Sequence, residues 1–379
     1  MKDELSKLNI QPRFIISGGG TGGHIFPAVS IADALRRRYP QCEILFVGAE
    51  GRMEMERVPR AGYEIVGLPV RGIDRKNLLS NYKVGIALFR SMRLANKTIR
   101  NFRPDVVIGV GGYASGPILS KAHSLGIPTL VQEQNSYAGV TNKLLSRGTE
   151  KICVAYPEME RFFPAEKLVF TGNPIRPEIE FGRPERAEAL RHFGFDQNEH
   201  PVVLVVGGSL GALTINKSIT DKLGKWAESG VRLIWQTGKN YIETAKKAVE
   251  EHPSLKCYVN DFITRMDYAY SAADLVVSRA GACSISELCL LGKPTILVPS
   301  PNVAEDHQTK NALALSTRDA AVMIPDAKAG ELLVNTALSL VRNPEELRSL
   351  SEQIRTLAKP QAADRIVDEI VKLVQKRKA

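Results

Sequence analysis

The sequence predicts an α/β protein of two doubly wound parallel units facing each other across a cleft. Three observations predict it. Apolar runs of strand length alternate with stretches of helical periodicity along most of the chain, the pattern of parallel sheets covered by helices. A strand, a glycine loop and a helix open the chain at 14–38, and the same sequence of elements returns about 190 residues later at 202–226. The length of 379 residues holds two domains at a prior of roughly 150 residues each.

In the first unit, Phe14-Ile15-Ile16 runs into Ser17-Gly18-Gly19-Gly20-Thr21-Gly22-Gly23-His24, and a helical pattern follows from 27 to 38. Strand, glycine loop and helix together offer bare backbone N–H groups to a phosphate. Glycines permit positive φ and close approach, and Pro27 suits a helix start. Gly18, Gly20 and Gly23 also fit G-x-G-x-x-G, a weak signal by itself. His24 at the loop exit is unusual and has to be explained. Strands follow at 44–47 and 64–67, then a long helical stretch at 78–102. The strand at 106–110 ends in a second loop, Gly111-Gly112-Tyr113-Ala114-Ser115-Gly116-Pro117. The strand at 129–131 leads into Gln132-Glu133-Gln134-Asn135, and strands at 152–154 and 169–170 close the unit. Ligands of such sheets bind at the carboxyl ends of the strands.

Gly172-Asn173-Pro174-Ile175-Arg176-Pro177 has no periodicity and reads as a hinge, dividing the chain into domains at 1–175 and 176–359. After a polar stretch at 178–200, the strand at 202–206 ends in Gly207-Gly208-Ser209-Leu210-Gly211-Ala212, and 213–226 is helical. Further strands lie at 233–235, 257–259, 275–277, 295–298 and 321–324. The amphipathic segment at 361–375 follows Pro360, ends in Lys376-Arg377-Lys378, and is expected to pack back on the first domain as a helix within 360–379.

The apolar fraction of 44% and charged fraction of 24% are those of a soluble globular protein. The net charge of +10 favours anionic partners such as nucleotides, phospholipid surfaces or nucleic acid; mere solubility is the plain alternative. Basic residues are dispersed and no nucleic-acid motif occurs. The five cysteines show no C-x-x-C spacing, which leaves buried free thiols. Residues 1–12 are polar and no apolar run reaches 18 residues, so neither a signal peptide nor a spanning helix is expected, and a reducing cytoplasmic location is the default. D-x-D, H-x-x-x-H and H-E-x-x-H are absent, which gives a protein-built metal site no support. A diphosphate leaving group would then rest on loop amides, helix dipoles and Arg or Lys.

The second half holds the most specific stretch, Ser278-Arg279-Ala280-Gly281-Ala282-Cys283-Ser284-Ile285-Ser286-Glu287-Leu288. Ser284 and Glu287 fit a capping box; alternatively the helix N-terminus holds a diphosphate while Glu287 accepts from a ribose diol. Polar residues gather again at Glu305-Asp306-His307-Gln308-Thr309-Lys310-Asn311, where an N-cap at Asp306 is the structural alternative. Leu78, Leu79, Tyr82, Ile86 and Phe89 recur at near-helical spacing among Arg75, Lys76, Lys83, Arg90 and Arg93. Such a face suits an anionic membrane surface, or a core-facing helix with a solvated basic side.

These motifs form an ordered series: Gly19 to His24 with Pro27, Gly111-Gly112-Tyr113 with Ser115 and Pro117, Glu133-Gln134-Asn135, Gly172-Asn173-Pro174 with Arg176, Gly207-Gly208-Ser209 with Gly211-Ala212, Ser278-Arg279 with Gly281-Ala282 and Glu287, and His307-Gln308 with Asn311-Ala312. Over about 13–358 the chain resembles the MurG family of peptidoglycan N-acetylglucosaminyltransferases. The resemblance implies a GT-B fold of two Rossmann-like domains. It implies inverting transfer of N-acetylglucosamine from UDP-N-acetylglucosamine to the 4-hydroxyl of the muramoyl sugar of undecaprenyl-linked lipid I, giving lipid II. No cofactor is required; a divalent cation could assist without a protein site. The donor belongs to the C-terminal domain, while the acceptor and membrane meet the N-terminal one.

By resemblance and position His24 is the leading general base, helped by a near-neutral ordinary pKa; helix capping or phosphate bonding is its alternative role. Glu133 is the second base candidate, and where family members often carry His before it this chain has Gln132. Thr21, Gly22 and Gly23 are expected to line the donor side through backbone amides. Asn135 matches a donor-sugar contact, Arg176 and Ser209 match diphosphate and nucleotide contacts, and Ile263 matches the position whose backbone reads uracil. Ala282, Cys283, Ser284, Ile285, Ser286 and Glu287 match the diphosphate–ribose segment, with Ser284 where threonine is common. Gln308 matches a contact to sugar hydroxyls. Lys76, Leu78, Leu79, Tyr82, Lys83, Ile86 and Phe89 are the expected membrane contacts. The implied location is peripheral, on the cytoplasmic face of the bacterial plasma (inner) membrane, with other cell-wall synthesis proteins as further partners and no nucleic acid. The rival readings are a UDP-N-acetylglucosamine 2-epimerase, another glycolipid glycosyltransferase, and a nicotinamide oxidoreductase using Glu50.

Overall fold

A computed structural model describes residues 11–72, 82–197, 200–208, 210–303 and 306–378. The chain divides into two compact units: residues through Arg176 together with those from Gln361 onward, and Pro177–Pro360.

The first unit alternates β1 (Arg13–Gly18), α1 (Gly22–Arg38), β2 (Glu43–Ala49), α2 (Glu54–Arg60), β3 (Glu64–Leu68), α3 (Tyr82–Phe102), β4 (Val106–Gly111), α4 (Ser115–Ser124), β5 (Thr129–Glu133), α5 (Val140–Leu145), β6 (Lys151–Val154) and β7 (Leu168–Phe170). The strands pair in parallel in the order β3-β2-β1-β4-β5-β6-β7. Side chains alternate between the faces of a strand. Phe14 and Ile16 of β1 therefore join one core and Ile15 the other; Ile44 and Phe46 of β2 separate from Leu45 and Val47 in the same way. A strand that is apolar at every position needs cover on both faces. Here α3 and α4 supply it on one side through Ala95, Ile99, Ile118, Leu119 and Ala122.

The second unit runs α6 (Pro177–Glu180), α7 (Arg186–His192), β8 (Val202–Val206), α8 (Leu213–Thr220), α9 (Leu223–Ser229), β9 (Arg232–Gln236), α10 (Ile242–Glu250), β10 (Cys257–Asn260), α11 (Met266–Ala272), β11 (Leu275–Ser278), α12 (Ala282–Leu291), β12 (Thr295–Leu297), α13 (His307–Ser316), β13 (Val322–Met323), α14 (Ala329–Leu340) and α15 (Pro344–Thr356). Its sheet is parallel, in the order β10-β9-β8-β11-β12-β13. Val203 and Val205 of β8 pack with Ile215, Trp226, Leu333 and Val334 in its core.

The last helix, α16 (Ala362–Lys378), belongs to the first unit and covers the remaining face of its sheet with α1. Asp364 pairs with Arg37 at 2.7 Å, and Asp368 pairs with Arg38. Partly exposed pairs of this kind contribute about 0–1 kcal/mol each. Ile366, Val367, Ile370 and Val374 are fully buried, at roughly 1.5–3 kcal/mol each, so burial is what holds α16.

Several expectations change. α1 starts at Gly22, not near Pro27, so His24 lies in its first turn. Pro27 is accommodated because only one intrahelical bond, to the Gly23 carbonyl, is lost at that position. The helical stretch at 213–226 breaks into α8 and α9 around Asp221 and Lys222, and the polar stretch at 178–200 contains α7, whose Ala189 and Leu190 are buried. The described part of the long helical stretch is α3; Lys76, Leu78 and Leu79 lie outside the described residues. All five cysteines are free, but only Cys153 and Cys289 are buried; Cys42, Cys257 and Cys283 are half-buried. Among the described residues no helix is long and apolar enough to cross a membrane, and no group of three or more His, Cys, Asp or Glu could hold a metal ion.

Candidate active site

In the first unit the site grows from the carboxyl ends of β1, β4 and β5. His24 Nδ1 lies 2.9 Å from the Gly19 carbonyl oxygen. A carbonyl only accepts, so Nδ1 carries the proton, and the neutral ring keeps its lone pair on Nε2. Gly111, the last residue of β4, lies against this ring. Its φ is +101°, and a Cβ there would come 2.8 Å from both Nε2 and Cδ2 of His24. Glycine is needed at Gly111 for backbone and for space. Ser115 Oγ sits 3.0 Å from the carbonyl oxygens of both Ser17 and Gly111, which ties the ends of β1 and β4 together.

Glu133 is 1% exposed. Its Oε1 accepts from Asn135 N at 3.1 Å and Asn135 Nδ2 at 3.3 Å; Oε2 accepts from Gly139 N at 2.9 Å and Asn142 Nδ2 at 2.8 Å. A carboxylate with four donors already in place has no acceptor position that can take a proton without displacing one of them. The geometry therefore suits Glu133 to fixing the turn after β5 and orienting Asn135, rather than to removing a proton from a substrate. Gln132 donates to Asn173 Oδ1 at 3.0 Å, and Asn173 Nδ2 donates to the Gln134 carbonyl at 3.1 Å. The position before Glu133 thus anchors the hinge segment.

Thr21 and Gly23 are exposed and Gly22 half-buried at the start of α1. Gly20 N–H is already donated, to Glu54 Oε2 at 2.9 Å, so the loop is not an open ring of amides. Arg176 is half-buried, its guanidinium 5.5 Å from the centre of the Phe26 ring.

In the second unit the corresponding strand ends hold another cluster. Gly281 is the N-cap of α12, which begins at Ala282. Ser284 lies inside the helix and cannot cap it, so the capping-box reading fails. Glu287 is 6% exposed, and its Oε2 accepts from Tyr270 at 2.9 Å. Ala282 and Ile285 are buried, whereas Cys283, Ser284 and Ser286 are half-buried; Ser286 Oγ bonds back to the Ala282 carbonyl at 3.0 Å. First-turn amides and the helix dipole make such an N-terminus favourable to an anion.

Ile263 is 3% exposed. Its N–H donates to Gln236 Oε1 at 2.9 Å, and Gln236 Nε2 donates to the Gly208 carbonyl at 3.0 Å. The Ile263 N–H is thus used within the protein. Gln308 accepts from Ser300 N at 2.9 Å through Oε1, which leaves its amide NH2 as the end that can donate outward. Ser209 lies outside the described residues.

Glu54, Gln236 and Asp326 escape sequence reasoning, and Arg279 stands in a motif of the sequence without an assigned role. Glu54 and Gln236 each bond two backbone groups and belong to no motif. Arg279 pairs with Asp326 at 2.5 Å and donates to the carbonyls of Val298 at 3.0 Å and Pro299 at 3.1 Å. It thereby joins the ends of β11 and β12. Its position directly after a buried strand was the available signal; Asp326, 47 residues on, gave none.

Family profiles and relatives match most of the chain. Residues 14–154 match the glycosyltransferase family 28 N-terminal domain and residues 202–366 its C-terminal domain. A relative from Porphyromonas gingivalis is 85% identical over 372 residues, covering 98% of each chain; it is named UDP-N-acetylglucosamine–N-acetylmuramyl-(pentapeptide) pyrophosphoryl-undecaprenol N-acetylglucosamine transferase. A relative of the same name from Parabacteroides distasonis is 62% identical, covering 96% of this chain and 99% of its own length. The crystal structure of Acinetobacter baumannii MurG is similar with a TM-score of 0.73 and 30% identity, covering 95% of this chain and 99% of that one.

Proposed function

The chain belongs to glycosyltransferase family 28, and from that premise we propose that it transfers N-acetylglucosamine from UDP-N-acetylglucosamine to undecaprenyl-linked lipid I, giving lipid II for peptidoglycan. The fold is GT-B. One observation carries the reading: the 85% identity, across 98% of both chains, to a relative named for this transfer.

In the proposed mechanism His24 is the general base. Its Nε2 takes the proton of the acceptor 4-hydroxyl as that oxygen attacks the anomeric carbon and the bond to UDP breaks on the opposite face, with inversion. Positioned bases of this kind contribute about 10²–10⁴-fold. The Gly19 carbonyl sets the neutral ring in the Nδ1–H tautomer, with the lone pair on Nε2, and accepts from Nδ1 throughout. Glu133 serves by holding Asn135 for the donor sugar.

Residues 176–359 are proposed to hold the donor. The α12 N-terminus and Arg176 offset the diphosphate charge as UDP leaves. Glu287, its Oε2 held by Tyr270, binds the ribose diol. The Ile263 carbonyl accepts from uracil N3–H, and the Gln308 amide donates to sugar hydroxyls. Thr21, Gly22 and Gly23 are expected substrate contacts of the first domain, and Ser209, outside the described residues, keeps its expected nucleotide contact.

The acceptor is a membrane lipid, so a peripheral contact on the cytoplasmic face of the plasma membrane is part of the proposal. Tyr82, Ile86 and Phe89 of α3 are 63%, 50% and 66% exposed, beside exposed Lys83, Arg90 and Arg93. That exposure supports a surface role over core packing for these three side chains.

The deciding experiment incubates the protein with UDP-N-acetylglucosamine, with and without a lipid I analogue. UDP release that depends on the acceptor, with a disaccharide product, supports the reading. Epimerised sugar formed without acceptor would overturn it.

A further inference from the structure

We propose that Glu54 is a positioning residue for His24, acting through the one peptide group that joins Gly19 to Gly20. The inference rests on the reading of His24 as the base.

Glu54 opens α2 and is 0% exposed. Its Oε1 accepts from Ala49 N and its Oε2 from Gly20 N, both at 2.9 Å. The Gly20 N–H and the Gly19 carbonyl are the two ends of one planar trans peptide, and that carbonyl is the acceptor of His24 Nδ1–H at 2.9 Å. Carboxylate, peptide and imidazole therefore form a single chain of hydrogen bonds.

Links in such a chain polarise one another. Negative charge at the N–H end makes the Gly19 carbonyl a stronger acceptor. A stronger acceptor favours the Nδ1–H tautomer and stabilises the ring once Nε2 has taken a proton. A carboxylate bonded directly to histidine does the same work in serine hydrolases; here one peptide lies between them.

The surroundings reserve this arrangement. A Cβ at Gly19 would lie 2.1 Å from Glu54 Oε1, one at Gly48 2.5 Å from Glu54 Cγ, and one at Gly112 2.5 Å from the Gly19 carbonyl oxygen. Among the described residues no Arg, Lys or His forms an ion pair with Glu54, so its charge is directed at the backbone. Other charged or titratable groups on the neighbouring elements have their own places. Glu56 pairs with Arg60 at 2.5 Å. Glu50 and Arg52 are exposed and Arg57 is half-buried. Tyr113 after β4 is 60% exposed, and Arg176 lies at the Phe26 ring. Asp364 and Asp368 meet Arg37 and Arg38 at the far end of α1.

The test is nuclear magnetic resonance of the full chain labelled with 15N-histidine and 15N-glycine, alongside kinetics. In the unsubstituted protein His24 should be the Nδ1–H tautomer when neutral, and the Gly20 amide should titrate with the same midpoint as the His24 ring. In Glu54→Gln the midpoint of His24 should fall by about one pH unit, because the imidazolium has lost its distant carboxylate. The acid limb of kcat should move to lower pH with it, and kcat should drop on the order of tenfold while donor KM stays within about twofold. Glu54→Asp, which keeps the charge, should recover the midpoint. A Gly20 amide indifferent to the His24 titration overturns the relay, and that measurement needs no variant to fold. An unmoved His24 midpoint in a folded Glu54→Gln protein overturns it too. His24→Gln separates the two ideas: full kcat in that variant overturns the base reading, whether or not Gly20 follows the ring.

Discussion

The Tyr270 hydroxyl donates to Glu287 Oε2 at 2.9 Å, and both side chains are nearly excluded from solvent. The bond joins α11 to α12 and fixes the carboxylate through Oε2. Hydrogen bonds to charged groups contribute about 1.5–3 kcal/mol. Glu287→Ala should therefore raise donor KM at least about tenfold, while Tyr270→Phe, which only loosens the carboxylate, should raise it several-fold. Steady-state kinetics with varied UDP-N-acetylglucosamine checks both. A lower melting temperature with unchanged KM in both variants would leave the pair a purely structural link.

Gln236 bridges the Gly208 carbonyl and the Ile263 N–H. With that N–H occupied, the segment offers the base edge an acceptor alone. Uracil presents a donor at N3, whereas cytosine presents a lone pair there. Gln236→Ala frees the N–H and should weaken the preference for UDP over CDP as competitive inhibitors by about tenfold, one well-made polar contact's worth. Inhibition constants for the two nucleotides, before and after substitution, decide this; an unchanged ratio rejects the role of Gln236.

The parallel sheets were legible because their strands are apolar at consecutive positions, and two-sided burial leaves few other folds. His24 was legible because an imidazole is out of place in a phosphate loop. Glu54 was not, since its role comes from the space left at Gly19 and Gly48 and from bonds to two backbone N–H groups. Neither leaves a spacing in the sequence. Ser284 misled because the S-x-x-E pattern fits a helix start three residues late; the backbone at Gly281 begins the helix first. α3 shows a subtler failure. Its inward side is made of Ala87, Ser91, Ala95 and Ile99, mostly small residues, and they carry little of the hydrophobic pattern. The large apolar side chains that dominate the pattern point outward.

That outward face gives a membrane prediction. Replacing Tyr82, Ile86 and Phe89 together by Ser should leave the melting temperature nearly unchanged, because exposed side chains contribute little to folding. Co-sedimentation with vesicles rich in anionic phospholipid should fall severalfold. Binding of the unsubstituted protein should also weaken as salt is raised, since Lys83, Arg90 and Arg93 supply attraction that salt screens. Equal sedimentation of the two folded proteins would remove α3 from the membrane contact.

His123 gives a prediction about acid. Its Nε2 lies 2.8 Å from Thr129 Oγ1. Thr129 is fully buried, and its N–H donates to Glu150 Oε2 at 2.6 Å. Burial holds the His123 pKa below its ordinary 6.5; Glu150 opposes this and Lys167 adds to it. Gly148 closes the other side of the ring, where a Cβ would stand 2.4 Å from Nδ1. The unfolded chain therefore binds a proton at this residue at a higher pH than the folded chain does. Stability rises with pH wherever the unfolded state holds more protons. The contribution of His123 is thus complete above its ordinary pKa and is lost as pH falls from there through the lowered folded value. His123→Gln retains a donor toward Thr129 but cannot titrate. Its unfolding midpoint in urea should change less than that of the unsubstituted protein between about pH 7.5 and pH 5. The other five histidines are common to both proteins, so the difference between the two slopes isolates this one. Parallel slopes would mean that His123 is protonated as easily in the fold as out of it.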